Sequence, residues 1–455
     1  MMRLYRYLTY LLGPLLLLYL SYRRRIGKEP DLRRGERLGK AELPRPEGPL
    51  LWIHAASVGE AASVLPLITE LCERYPSLHI LLTTVTLSSA ELMERKLPER
   101  AMHQYAPIDH PRAVRRFLKH WKPDLALWVE SEFWPNMIRQ TFRRNIRMVL
   151  INARLSQRSY DRWMRFRKTL AELLHCFSII FPQSDKDAAR FEKFGAGRLE
   201  MVGNLKYDAD PLPADSKAMG TMITMLGGRR LWLAASTHPG EEPQIAQAHS
   251  VLKELYPDLL TIIVPRHAAR GAAIADELQS TRLSVALRSR KEEISDSTDI
   301  YIADTMGELG MFYRMAGIVF MGGTLVPHGG QNPLEAIRLD CAVIYGPHHE
   351  NFSAICQELE QAGAALQVAN ITALEEAVDH LFKDQESQEL MAKKGLELLA
   401  TKEGVVQRII AALADELQKI AGPAQQDGAD ENNEDAATET PIPAEEKESA
   451  QESRP

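Results

Sequence analysis

Cysteine is scarce and scattered in this 455-residue chain: Cys72, Cys176, Cys341 and Cys356, with no C-x-x-C pair and no His/Cys cluster. That spacing argues against a disulfide framework or a thiolate zinc site and fits a reducing compartment. There is no G-x-x-x-x-G-K phosphate loop, no G-x-G-x-x-G after the first strand, and no G-x-S-x-G elbow. P-loop phosphoryl transfer, dinucleotide binding of the usual kind and α/β-hydrolase chemistry are set aside accordingly. Apart from the neighbours His348 and His349, the histidines are dispersed, and none pairs at metal-ligand spacing. No metal and no cofactor are expected.

Charge is low and uneven. Residues 421–455 carry ten acidic and two basic side chains, so −8 of the total −6 lies there and the first 420 residues hold +2. The stretch has almost no large apolar residue and cannot bury enough surface to fold, so a disordered acidic tail is expected. A nucleic-acid partner is not expected. The hydrophobic fraction, 45%, and charged fraction, 25%, are those of a globular protein, and the length suits two domains.

An uncharged apolar run, Tyr7 to Tyr22, opens the chain and leads into Arg23-Arg24-Arg25, Lys28, Arg33, Arg34 and Arg37. It lacks a small-residue cleavage site and is short for a full span. Basic residues on its C-terminal side predict an N-terminal membrane anchor with the rest of the protein on the cytoplasmic side. Its tyrosines suit the headgroup level, so a shallow anchor is one form it could take.

Beyond the basic stretch, short apolar runs alternate with amphipathic segments. Strands are predicted at Leu50–His54, Ile80–Thr84, Leu125–Val129, Met148–Ile151, Ile179–Pro182 and Leu199–Val202, then at Leu231–Ala235, Leu260–Val264, Ile300–Ala303, Ile318–Met321 and Ala342–Tyr345. A Pro/Asp/Ala-rich linker, Tyr207–Lys217, separates the two sets, and a helical run, Gln385–Ile420, closes the folded part. This is the rhythm of two α/β, doubly wound, Rossmann-like domains facing a cleft. The expected units are an anchor over 1–25, a first domain over 26–210, a second over 211–420 and the tail over 421–455.

Strand-to-helix turns are the places to look for chemistry, because a helix N-terminus offers free N–H groups and partial positive charge. His54-Ala-Ala-Ser57-Val-Gly59-Glu60 follows the first strand. Its S-x-x-E spacing fits a capping box, and a carboxylate there could equally act as a general base. Asp304-Thr305-Met306-Gly307-Glu308 repeats that spacing. A glycine-rich loop from Gly322 leads through Asn332 and Pro333 to Glu335 and reads as an anion cradle ahead of a capped helix. Arg266 in Val264-Pro265-Arg266-His267 and Lys206 in Gly203-Asn204-Leu205-Lys206-Tyr207 can supply positive charge. Glu130 and Glu132 stand beside Phe133 and Trp134 after another strand, as a cleft-edge pair or as a solvated acidic turn.

Taken in order, Gly35-Glu36-Arg37-Leu38-Gly39, HAASVGE, the Thr83–Thr86 run, ESEFWPN, Ile151-Asn-Ala-Arg-Leu-Ser156, GNLKYD, Ser236-Thr-His-Pro-Gly-Glu-Glu242, VPRH, DTMGE and GGTLVPHGGQNPLEA span most of residues 30–350. Together they resemble the 3-deoxy-D-manno-octulosonic acid (Kdo) transferases of lipopolysaccharide assembly. Leu87-Ser88-Ser89-Ala90 departs from that family's Thr-Gly, and the acidic tail has no counterpart. The resemblance implies a GT-B glycosyltransferase that moves Kdo from CMP-Kdo to a lipid A precursor at the bacterial inner membrane, with inversion and without metal. It implies Glu60 as general base, with Glu130 and Lys206 supporting the transition state. Pro265, Arg266, Met306, Gly307, Glu308, Asn332, Pro333, Leu334 and Glu335 would contact the CMP portion. The expected partners are CMP-Kdo, the lipid acceptor and a membrane lipid surface. The same motifs would serve addition of one Kdo or of two in sequence. Another GT-B transferase, a sugar-nucleotide epimerase and a non-catalytic nucleotide-sugar scaffold are the competing readings.

Overall fold

The computed structural model describes residues 1–27, 29 and 33–424; the expected tail lies outside the described residues from 425 onward. Two all-parallel sheets form the protein. The first runs in the order β3-β2-β1-β4-β5-β6, with β1 Leu50–His54, β2 His79–Thr84, β3 Ala101–Tyr105, β4 Leu125–Val129, β5 Arg147–Ala153 and β6 Ile179–Pro182. The second runs β13-β12-β11-β7-β8-β10-β9, with β7 Leu231–Thr237, β8 Leu260–Pro265, β9 Val285–Leu287, β10 Ile300–Ile302, β11 Ile318–Met321, β12 Ala342–Tyr345 and β13 Ala365–Gln367. Helices cover both faces of each sheet, so the central strands are buried along their whole length. The central strands therefore read as continuous apolar runs rather than alternating ones.

The strand set differs from expectation in both directions. Leu199–Val202 makes only one bridge, from Leu199 to Ile180, because Met201 is exposed and only Val202 is buried. Conversely, β3 contains His103 and Gln104 and does not look like a core strand. Partners from elsewhere take up part of its polar character: His103 Nε2 lies 2.8 Å from Thr84 Oγ1, and Trp121 donates to the Gln104 side-chain oxygen at 2.7 Å. The short strands β9 and β13 were also not anticipated.

The helical run at the C-terminus does not stay with the second domain. Gln385–Lys402 packs there, but Val405–Ala412 and Ala414–Ala421 return to the first, where Val405, Ile409, Leu413 and Leu417 join the core under β1, β4 and β5. Arg408 donates to the Val202 carbonyl at 2.8 Å and fastens the crossing. Residues 405–420, within the span expected for the second domain, thus pack in the other core because their apolar face is buried there.

The N-terminal run folds as two helices, Met2–Leu11 and Gly13–Arg25, broken at Leu12 ahead of Pro14. Among the described residues no helix is long and apolar enough to cross a membrane. Instead the segment docks on the first domain. Tyr5 donates to Asp109 at 3.0 Å, Asn136 donates to Thr9 at 2.9 Å, and Met2 is buried. Leu4, Tyr7, Leu11, Leu15, Leu18 and Tyr22 remain exposed.

Candidate active site

In each sheet the strand order reverses beside the first strand, and loops at such a reversal leave a crevice at the carboxyl ends. In the first sheet the reversal lies between β1 and β4, so the turns bearing Glu60 and Glu130 become neighbours. Ser57 caps the helix Val58–Arg74 by accepting from the Glu60 N–H at 3.2 Å. The Glu60 carboxylate in return accepts from the Ala56 N–H at 2.8 Å and the Ser57 hydroxyl at 2.9 Å. The capping box is real, and it also fixes the rotamer of the carboxylate.

Glu60 is only 8% exposed. Burial, reinforced by the charges of Glu130 and Glu132, pushes its carboxyl up to about 8. Glu132 is likewise raised by burial, and Trp134 donates to it at 2.7 Å. Glu130 goes the other way. Burial opposes its charge, but Lys206, whose ammonium donates to it at 2.8 Å, holds it below the ordinary carboxylate range. Two neighbouring carboxyls are thus driven apart, as acid/base assignments require.

Remote residues build this pair. Glu130 sits at φ 56°, a left-handed conformation uncommon for a side-chain-bearing residue and often found at functional sites. Its N–H donates to the Ile151 carbonyl at 3.0 Å. Asn152 accepts from the Leu205 N–H at 3.0 Å, and Asn204 accepts from that of Lys206 at 3.1 Å, which explains the Ile151–Ser156 and Gly203–Tyr207 motifs. The Lys206 ammonium also lies 5.2 Å from the ring centre of Phe352, in the second domain.

In the second sheet the reversal lies between β7 and β11, so the turns after these strands touch. Their contact alters the expected cradle. The N–H groups of Gly323, Thr324 and Leu325 donate to Glu241 at 2.7, 3.0 and 3.0 Å, and that of His238 donates at 2.8 Å. This buried carboxylate occupies the first part of the glycine-rich loop, leaving only its later part open to an external anion. The fit requires glycine: a Cβ on Gly322 would sit 2.5 Å from the Ser236 carbonyl oxygen, and Gly323 is at φ 71°.

Around this knot lie the other anticipated groups. Pro265 is buried at the end of β8, and Arg266 is exposed, its N–H donating to Thr237 at 3.0 Å. Met306 and Gly307 are exposed after β10. Glu308 is paired with Arg288 through a 2.6 Å hydrogen bond, which holds its carboxyl low. Asn332 accepts from the Leu334 N–H at 3.3 Å and starts the one-turn helix Leu334–Ile337. Glu335, in that turn, is raised by burial against the pull of Asn332 and Arg266.

Some functional candidates escaped the sequence. Arg288 lies in an unremarkable Arg/Ser/Lys stretch. Arg270 makes a two-pronged bond to Glu242 at 2.7 and 3.0 Å. His238, His267 and His328 are dispersed in sequence but cluster, with ring centres 4.1 Å apart for His238 and His328 and 6.4 Å for His238 and His267. Among the described residues no group of three or more His, Cys, Asp and Glu is placed to hold a metal ion.

Residues 32–209 match the family model described as 3-deoxy-D-manno-octulosonic-acid transferase, and residues 233–397 match that of glycosyl transferases group 1. A probable mitochondrial 3-deoxy-D-manno-octulosonic acid transferase of Arabidopsis thaliana is 39% identical over 84% of this chain and 88% of its own. The 3-deoxy-D-manno-octulosonic acid transferase of Haemophilus influenzae is 36% identical over 84% and 90%. Among solved structures, a putative UDP-N-acetylglucosamine 2-epimerase from Listeria monocytogenes aligns with a TM-score of 0.57 at 15% identity, over 83% of this chain and 98% of that one. A glycosyltransferase from Rickettsia africae aligns with a TM-score of 0.55 at 11% identity, over 82% and 100%. These two likenesses speak for the GT-B arrangement of two Rossmann-like domains alone. With both sheets assembled and relatives above 30% identity matched over most of their length, the chain belongs to the 3-deoxy-D-manno-octulosonic acid transferase family.

Proposed function

We propose that this glycosyltransferase moves Kdo from CMP-Kdo to a hydroxyl of a lipid A precursor, with inversion at the anomeric carbon. The observation that carries the reading is the buried Glu60 carboxyl, raised to about 8 beside a Glu130–Lys206 pair that stays charged. In this reading the acceptor oxygen bonds to the anomeric carbon as its proton passes to Glu60. The bond from that carbon to the CMP phosphate breaks, and its electron pair leaves with CMP. Glu60 is competent only once deprotonated, so the transfer requires the pH range in which its raised carboxyl ionises.

Lys206 and Glu130 would support charge developing at the reacting centre. On the donor side, Arg266 and Pro265, the exposed turn Met306–Glu308 and the helix start Asn332–Glu335 would hold CMP. A single departing phosphate needs no metal to bridge two, and full turnover after exhaustive chelation is expected. The exposed apolar face of the two N-terminal helices, flanked by arginines, supports a shallow seat in the cytoplasmic leaflet of the bacterial inner membrane. Such a seat raises the effective concentration of a lipid acceptor.

Incubating the purified protein with CMP-Kdo and lipid IVA and weighing the product tests the assignment. A mass gain of one Kdo supports single addition, and two gains support sequential addition. An unchanged acceptor sinks the proposal.

A further inference from the structure

Beside Lys206, a cavity of about 610 Å³ lies between the two domains. Its first-domain wall carries Arg154, Arg158 and Lys186, which the transfer reaction above leaves unused. Among the described residues none of the three is paired with a carboxylate. The Arg154 guanidinium donates to the Glu350 carbonyl of the other domain at 2.8 Å and so spans the opening. Arg158 and Lys186 are exposed with no bond to another side chain among the described residues. The one buried acid on the wall, Asp187, is already engaged by the Leu155 N–H at 2.8 Å and the Ser184 hydroxyl at 2.6 Å. The excess charge facing the cavity is positive.

Backbone dipoles add to that sign. Helices Gln157–Met164, Asp185–Lys193 and Ser353–Ala362 all begin at this cavity. Ser156 and Ser184 cap the first two, whereas the third, from the second domain, has neither a side-chain cap nor an acidic residue in its first turn. Cations without a carboxylate partner, set among helix N-termini across an interdomain gap, favour an oxyanion. Because Glu241 fills the early part of the glycine-rich loop, its later part, Pro327–Gly329, is what lines this cavity.

We infer that Arg154, Arg158 and Lys186 form an oxyanion subsite, separate from the groups that hold the CMP phosphate, for a carboxylate or phosphate borne by a substrate. The inference rests on the proposed transfer reaction, in which both sources exist: the carboxylate of the transferred sugar acid and the phosphates of the glycolipid acceptor.

The test uses the full-length protein and the exposed pair R158A/K186A. The expected result is a rise of about tenfold or more in one KM, an unchanged melting temperature and an inhibition constant for CMP within twofold of wild type. A raised KM for CMP-Kdo assigns the site to the sugar carboxylate. A raised KM for lipid IVA, absent with a monophosphorylated acceptor, assigns it to the lipid phosphate. R158K/K186R, which keeps the charge, should recover most of the loss. Both KM values within twofold of wild type overturn the subsite while leaving the transfer reaction standing. Should the wild type transfer nothing, titration with free Kdo and glucosamine 1-phosphate still decides: binding lost in R158A/K186A supports the subsite, and equal or absent binding in both proteins overturns it.

Discussion

The turns Ser57–Glu60 and Thr305–Glu308 share a local pattern, a hydroxyl residue followed three positions later by glutamate after a parallel strand. Within four residues they are nearly interchangeable. Glu60 is buried, bonded to its own turn, and surrounded by the charges of Glu130 and Glu132, so its proton is held up to about 8. Glu308 is half-exposed and clasped by Arg288, so its carboxyl titrates below the usual range. One carboxylate is suited to take a proton and the other to stay an anion. Neither outcome is written in the capping pattern: the first comes from burial beside Glu130 and Glu132, the second from the Arg288 partner.

Removing the proton acceptor should break the comparison most severely. Glu60→Gln keeps the capping geometry and is expected to lower turnover ~10²–10⁴-fold with a native circular dichroism spectrum. A second readout follows from linkage. A carboxyl raised in the folded state stabilises below its unfolded pKa and loses that contribution as pH climbs through about 8. Between pH 6 and pH 9 the wild type should therefore lose more melting temperature than Glu60→Gln. Near-normal turnover in the variant would return Glu60 to a purely capping role.

Next in size is the counter-charge. Lys206→Met leaves Glu130 without its ammonium in a largely buried position, and a broken pair of this kind costs about 3 kcal/mol or somewhat less given its residual exposure. Chemical denaturation should show that loss, and the double variant Glu130→Gln/Lys206→Met should regain part of it. An additive double variant would mean that the two side chains do not act as a pair.

On the other turn, Arg288→Ala should free Glu308 and loosen the loop that includes Met306. Calorimetry with CMP is expected to show weakening of about tenfold, the equivalent of roughly 1.4 kcal/mol. An unchanged dissociation constant would remove this turn from the donor site.

The smallest effect sharpens the comparison rather than breaking it. Glu132 raises the Glu60 carboxyl through charge, behind burial and Glu130. Glu132→Gln should therefore move the acidic limb of the kcat/KM profile to lower pH by less than about one unit, with the plateau within about twofold. A shift to higher pH would contradict the sign of the coupling.

How much was legible in advance differs by level. Strand cores such as Leu125–Val129 and Ile318–Met321 were readable because strands buried on both faces need uninterrupted apolar runs. β3 was not, since the partners of His103 and Gln104, Thr84 and Trp121, come from elsewhere in the fold. Glu60 and Arg266 could be singled out from their places after strand ends, and Asn332 from its place at a helix start. Arg288 and the grouping of His238, His267 and His328 could not, because no local spacing marks them.

The amino-acid sequence by itself determined the two doubly wound sheets, the apolar N-terminal run, the turns at which ligands could meet the chain, and the family. Those properties follow from periodicity, capping and ordered motifs, which are local. Tertiary structure alone decided that Glu241 fills the early glycine-rich loop, that Val405–Leu417 crosses to the first core, and that Glu60 and Glu308 titrate in opposite directions. The reason is physical: a charged group's protonation, like a helix's resting place, depends on neighbours within a few ångströms, and here those neighbours come from remote parts of the chain or from another strand end.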